Sequence, residues 1–67
     1  MLDTLLKNAR TGLEIEMMFI EQIDHEVILE DGYKEYKHDS RTGKLYQFLD
    51  HTDDCKEMSG RWTLSSL

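Results

Sequence analysis

Apolar and polar residues alternate most clearly over residues 13–23. Every second position is apolar, at Leu13, Ile15, Met17 and Phe19. Because the acids Glu14 and Glu16 fill the positions between, this period of two predicts a strand with one buried face. Beyond Met17 both faces are apolar, which is typical of a strand covered on both sides. The competing interpretation is a helix, since Ile15, Phe19 and Ile23 also recur at every fourth position.

The first residues follow a different period. Leu2, Leu5 and Leu6 are spaced as one stripe of a helix over residues 2–9, with Asp3 near its positive end and Lys7 near its negative end. Gly12 is a suitable residue to end it. Such a helix has only about two turns and must pack on the rest of the protein to be stable.

The next segment predicts a hairpin. The apolar run at residues 27–29, which begins with the β-branched Val27 and Ile28, is followed by Asp31-Gly32, a dipeptide that favours a two-residue turn with positive φ. That turn pairs Glu30 with Tyr33 and Val27 with Tyr36.

A second hairpin is predicted around residues 41–43, which end in glycine. A three-residue loop pairs Ser40 with Lys44 and puts five side chains on one face, namely Val27, Leu29, Tyr36, Tyr46 and Phe48. A slip of one residue replaces Tyr46 and Phe48 by Leu45 and Leu49, because adjacent side chains of a strand project to opposite faces. Residues 50–60 are predicted as a loop, and residues 61–64 as a last strand with Trp62 and Leu64 on one face.

These elements predict a single α+β domain over residues 1–67. A short N-terminal helix is followed by an antiparallel meander of four to five strands. The meander either closes into a small SH3-like or Sm-like barrel or remains an open sheet with the helix on one face. The sequence alone leaves both arrangements open.

The composition indicates the cellular compartment in which the protein is expected. The chain has 67 residues, no proline and one cysteine, Cys55, which suits a reducing compartment. The N-terminal residues lack a secretory apolar region, and the longest apolar run, residues 17–20, is far below the ~20 residues of a membrane span. We therefore expect a cytoplasmic protein that does not enter membranes.

The distribution of charged residues along the chain indicates a candidate function. The net charge is −6, and residues 13–32 contain acids but no lysine or arginine. Such a surface favours a protein-binding module, a regulator or inhibitor whose partner has a basic surface and whose acids imitate nucleic-acid charge. The predicted contact residues are Glu14, Glu16, Glu21, Asp24, Glu30 and Asp31. Nucleic acid itself is an unfavourable partner, because phosphate contacts need a basic protein surface. The size and acidity resemble those of small regulators encoded by viruses or mobile elements.

The alternative function uses the hairpin of residues 33–46. Basic and aromatic side chains interleave there, an arrangement that binds single-stranded nucleic acid or a small ligand by charge and stacking. The predicted ligand face consists of Tyr33, Lys34, Lys37, Arg41 and Lys44.

No catalytic, metal or cofactor site is predicted. His51 and Cys55 are four residues apart, with Asp53 and Asp54 between them and His38 as a further donor, but structural zinc sites need four ligands, usually in two close pairs. The neighbouring acids would also raise the pKa of a nucleophilic cysteine. The isolated glycines form no phosphate loop. We therefore expect no enzyme, while the apolar residues 17–20 and open sheet edges favour a homodimer.

Overall fold

The computed structural model describes residues 1–49 and 53–67 as a sheet of seven antiparallel strands. The strands are β1 (Thr4–Asn8), β2 (Glu14–Ile23), β3 (Glu26–Glu30), β4 (Glu35–Asp39), β5 (Leu45–Phe48), β6 (Cys55–Met58) and β7 (Trp62–Ser66). Their order across the sheet is β6-β5-β4-β3-β2-β1-β7. The described residues contain no helix, so the predicted α+β class is wrong and the fold is all-β.

The predicted N-terminal helix is strand β1. Thr4, Leu6 and Asn8 are buried on one face, while Lys7 projects to the other. The strand pairs with β2 on one side and with β7 on the other. Pairing on both sides satisfies the backbone along the whole segment, whereas a helix of two turns has little stability of its own. Tertiary pairing therefore overrides the helical spacing of the leucines.

Strand β2 confirms the period-two interpretation of residues 13–23 and also bends the sheet. Its first half, as far as Met17, pairs with β1, and its second half, from Met18, pairs with β3. The core lies between the two parts of the bent sheet. Its buried apolar residues are Leu6, Met17, Val27, Leu29, Tyr36, Leu45 and Trp62.

Two hydrogen bonds tie the start of β7 to the β4–β5 hairpin. Trp62 N donates to Gly43 O at 2.7 Å, and the buried His38 Nε2 lies 2.8 Å from Trp62 O. Because a carbonyl oxygen only accepts, Nε2 carries the hydrogen in this tautomer. Strands β6 and β7 are the two edges of the sheet, which is therefore open rather than closed into a barrel. The helix that was predicted on one face of an open sheet is not found in the described residues.

The first predicted hairpin exists with a longer turn. Glu30 pairs with Glu35 and Leu29 with Tyr36, around a turn closed by Asp31 N donating to Lys34 O. The predicted pairing of Glu30 with Tyr33 is wrong by two residues, so each side chain keeps its predicted face. The Asp31 carboxylate accepts the N–H groups of the next turn residues, which stabilises the longer turn.

The second hairpin takes the slipped register. Tyr36 pairs with Gln47 and His38 with Leu45, so Leu45 is buried and Tyr46 and Phe48 lie on the opposite face. The three-residue loop is wrong, because Asp39 N donates to Lys44 O around a four-residue loop. Asp39 Oδ1 accepts from the N–H groups of Arg41 and Thr42, which stabilises this loop.

The last part of the chain contains one strand more than predicted. Within the predicted loop 50–60, residues 55–58 form β6 and pair with β5, with Leu45 opposite Met58. This segment is charged and lies at the sheet edge, so it lacks the alternation that marks a half-buried strand. The predicted last strand is confirmed, with Trp62 buried and Leu64 packed against the core.

Candidate protein-binding face

The carboxylates of three neighbouring strands share one surface of the sheet. We call the side of the sheet turned away from the core the outer face. Core residues such as Val27, Leu29 and Tyr36 point inward, so the residues alternating with them point outward. The acids of β2, β3 and β4 all occupy outward positions: Glu14, Glu16, Glu21, Glu26, Glu30, Glu35 and Asp39. Lys37 is the one lysine or arginine in these three strands.

A β-bulge in β2 is what brings Glu21 to the outer face. The pairing with β3 shifts between Phe19 and Glu21, so Ile20 is the extra residue. Without it, Glu21 would take the same side as Ile15 and Met17, which is the core side. With it, Gln22 lies opposite the buried Val27 instead, and Glu21 and Ile23 point outward.

Like charges lie directly opposite each other across β3 and β4. Glu26 pairs with Asp39, and Glu30 pairs with Glu35. The first pair has basic side chains beside it, with Lys37 Nζ at 3.4 Å from Glu26 and His25 Nε2 at 3.8 Å from Asp39. Within the described residues neither Glu30 nor Glu35 has an ion pair. Since opposed like charges destabilise a sheet, this second pair is a local cost to folding.

Apolar side chains alternate with these acids across β2 and β3. The outward pairs are Met18 with Glu30, Glu21 with Ile28, and Ile23 with Glu26. Each pair therefore joins one apolar side chain to one carboxylate. Ile20 and Ile23 are 47% and 54% exposed. The prediction that this half of β2 is covered on both faces is therefore wrong. Residues 19–23 are all exposed, including Phe19 and Gln22 on the core side.

Most of the predicted partner-binding acids lie on or beside this face. Glu14 and Glu16 are exposed at the β1 end, where Glu14 lies opposite Lys7 and Glu16 opposite Leu5. Asp24 is exposed in the β2–β3 turn with a positive φ of 55°. Glu21 and Glu30 lie at the centre of the apolar and acidic pattern. The structure thus groups five of the six predicted acids along β2 and β3.

Asp31 has a different role, because its carboxylate is occupied within the chain. Oδ1 accepts from Tyr33 N and Lys34 N, each at 2.9 Å, and Oδ2 accepts from the Tyr36 hydroxyl at 3.0 Å. Partial burial opposes ionisation, but these three hydrogen bonds outweigh it and hold the pKa of Asp31 below its ordinary value. Burial of the Tyr36 hydroxyl, together with its hydrogen bond to the Asp31 carboxylate, raises the pKa of Tyr36 to about 12. Asp31 stabilises a turn.

The alternative basic face is not a cluster. Tyr33, 92% exposed, and Lys34 lie in the β3–β4 turn, whereas Arg41 and Lys44 lie at the β4–β5 hairpin. Strand β4 separates these two ends by about 17 Å, the length of five extended residues. Lys37 lies between them, on the acidic outer face, where its ammonium group is 5.2 Å from the Tyr46 ring centre. The structure therefore places these basic residues at the two ends of β4, with Lys37 between them. Ligand binding by this hairpin stays a prediction.

A depression on the inner side is lined in part by one histidine and two hydroxyl residues. It is open to solvent and is lined by His38, Ser40, Gly43, Trp62, Thr63 and Leu64. Among the described residues of this lining, His38 is the only titratable side chain, and its Nε2 is bonded to Trp62 O. The lining also holds two hydroxyl groups, of which that of Ser40 donates to His25 O at 2.9 Å.

The side chains considered for a metal site are His38, His51, Asp53, Asp54 and Cys55. No group of three or more histidine, cysteine or acidic side chains within residues 1–49 and 53–67 is arranged to hold a metal ion. His51 lies outside the described residues, and Cys55 is exposed at the start of the edge strand β6. The absence of a metal site stays a prediction.

Several residues of the outer face were missed from sequence. Glu26, Glu35 and Asp39 belong to it, as do the apolar residues Met18, Ile20, Ile23 and Ile28. The alternation in residues 26–30 was the available signal, because it places both glutamates and Ile28 on one side of a strand. Assigning Glu35 and Asp39 to a basic hairpin hid their membership of the acidic face.

Comparison with known proteins adds no assignment. No protein family matches the chain, and no curated protein or solved structure is significantly similar to it. A helix long and apolar enough to cross a membrane is absent from the described residues.

Proposed function

We propose that this protein is a cytoplasmic protein-binding module that regulates or inhibits a partner through the outer face of β2, β3 and β4. The observation that carries the proposal is the placement of seven carboxylates on the outer face of β2, β3 and β4. Lys37 is the one lysine or arginine of these strands, and Lys7 of β1 lies opposite Glu14 at one end of the face. A field of one sign attracts and orients a partner of the opposite sign. The partner is therefore a protein with a basic surface.

The uncompensated pair of Glu30 and Glu35 supports binding as the reason for this arrangement. Opposed like charges lower stability, and a replacement of either residue by glutamine would relieve the repulsion at no cost in packing on an outer face. Natural proteins break local folding rules mainly at functional sites, where the cost in stability is offset elsewhere. A basic partner would supply the missing positive charge.

Basic surfaces that bind nucleic acid are the favoured targets. A closely spaced array of carboxylates offers such a surface the charges that phosphates would otherwise provide. The module would then compete with nucleic acid for its partner, which is how a small acidic regulator or inhibitor would act.

Affinity capture tests this proposal. The wild-type chain and two variants of equal net charge are immobilised and exposed to cell lysate at low and moderate salt. The face variant is Glu30→Gln/Glu35→Gln, and the control variant is Asp53→Asn/Glu57→Gln, which removes two exposed acids outside β2–β4. Retained proteins are identified by mass spectrometry.

We expect wild type and the control variant to retain the same basic proteins at low salt and to release them as salt screens the charges. The face variant should retain several-fold less of them. Equal retention by all three chains, or no retained protein at low salt, would overturn the proposal.

A further inference from the structure

We infer that the partner contacts this face through a basic amphipathic segment, in which an apolar stripe is flanked by lysines or arginines. This inference rests on the proposed function and specifies the chemistry of the partner. Its basis is the alternation of apolar and acidic side chains across β2 and β3, rather than the acidic charge alone.

The alternation forms a regular pattern on the outer face. Going along the pairs of β2 and β3, the apolar member changes strand each time, from Met18 on β2 to Ile28 on β3 and back to Ile23 on β2. The acids change strand in the opposite sense, as Glu30, Glu21 and Glu26. A zigzag of apolar side chains is therefore lined on both sides by carboxylates.

The spacing of this pattern fits a helix. Side chains directly opposite each other in an antiparallel pair have Cβ atoms about 5 Å apart. On a helix, side chains three or four residues apart are separated by about 5–6 Å. A leucine next to a lysine on one helix face can thus meet an isoleucine next to a glutamate on the sheet, in several successive pairs.

The bulge supports this assignment, because it presents both kinds of side chain together. The extra residue, Ile20, reverses the alternation of β2 and turns Glu21 and Ile23 outward as a pair. Ile20 and Ile23 are about half exposed, so a partner has apolar area to bury. Burial of that area adds affinity that charge alone does not provide.

Charge complementarity selects this occupant over two others. A second copy of this chain would bring another set of seven carboxylates against the first, and repulsion would oppose a dimer through this face. An anionic lipid surface is disfavoured for the same reason. Only a basic partner satisfies both the apolar and the charged positions.

Two labelled synthetic peptides test the inference by fluorescence anisotropy. One is a helix-forming peptide of leucine and lysine, with leucines at positions i, i+3, i+4 and i+7 and lysines beside them. The other keeps every lysine and replaces each leucine by serine. Each is titrated with wild type, with Ile20→Ser/Ile23→Ser, and with the control Leu13→Ser/Leu67→Ser, which changes two exposed apolar residues away from the β2–β3 pattern. Circular dichroism checks that each variant is folded.

We expect wild type and the control variant to bind the leucine peptide at least about tenfold more tightly than the serine peptide. The Ile20→Ser/Ile23→Ser variant should lose most of that difference. Equal binding of both peptides by wild type would overturn the inference and leave a purely electrostatic partner for the proposed function. Binding of neither peptide overturns the inference as well, and lysate capture then decides separately whether the proposed function holds.

Discussion

At the scale of single residues, three aspartates use their carboxylates in hydrogen bonds within the chain. Asp3 accepts hydrogen bonds from Phe19 N and the Thr4 hydroxyl, and Asp39 and Asp31 accept from backbone N–H groups of their own turns. All three have a pKa below the ordinary value, because these bonds favour the charged form. The sequence shows turn-forming aspartates but not which of them use their carboxylates in this way.

The Asp31 turn predicts a pH-dependent loss of stability. Asp31→Ala removes three hydrogen bonds, so we expect the free energy of unfolding at pH 7 to fall by about 1–3 kcal/mol. The folded pKa of Asp31 lies below its ordinary value of 3.8, so its contribution is present above 3.8 and is lost as the pH falls through the folded pKa. Urea unfolding at pH 7 and pH 3 should show the difference between wild type and variant narrowing at pH 3. A difference independent of pH would contradict this role.

Gly60 packs against the buried side chain of Asn8. A Cβ at Gly60 would lie 2.7 Å from Asn8 Nδ2, which donates to Ser59 O, and the backbone φ of +93° disfavours any side chain. Gly60→Ala should therefore lower the free energy of unfolding by about 2–4 kcal/mol.

Gly32→Ala is the matched control for Gly60→Ala. Its φ is +97°, but its Cβ would meet no atom within 4 Å, so it should cost only the backbone strain, about 1 kcal/mol. Equal losses measured for the two variants by urea unfolding would show that the Asn8 contact adds nothing.

At the scale of elements, the alternation of apolar and polar residues predicted the strands that have one buried face. It did not predict the strands whose structure depends on pairing with their neighbours. Strand β2 and the strand containing Trp62 were found from their period of two. Strand β1 was missed because its leucines also fit a helix, and β6 because an exposed edge strand needs no apolar face. Both hairpins were located by their turn residues, but their registers depended on aspartate hydrogen bonds that set the turn length.

The opposed glutamates of β3 and β4 give an element-scale prediction. Glu35→Gln removes the repulsion with Glu30, so we expect the free energy of unfolding to rise by about 0.2–1 kcal/mol at low salt. The control Glu14→Gln removes an acid that lies opposite Lys7, so stability should stay the same or fall slightly. Urea unfolding at low salt compares the two variants. An unchanged or lower free energy of unfolding in Glu35→Gln would contradict an unrelieved repulsion.

At the scale of the whole molecule, the acidity known from sequence becomes a single surface only through the register of the strands. The sequence located the acids in residues 13–32, and five of the six predicted contact residues lie along β2 and β3. It did not show that Glu35 and Asp39 join them, since that follows from the pairing of β3 with β4. Nor did it show the outward turn of Glu21, which depends on the bulge at Ile20.

The most direct test of a binding site on the outer face is to map the contact in solution by NMR. The ¹⁵N-labelled chain is titrated with the leucine–lysine peptide, and the amide shifts are followed along the chain. If the peptide binds the outer face, the largest amide shifts should lie along β2 and β3, centred on Ile20, Glu21, Ile28 and Glu30. The largest shifts at the turns of residues 33–34 and 41–44, or shifts spread evenly over both sides of the sheet, would contradict it.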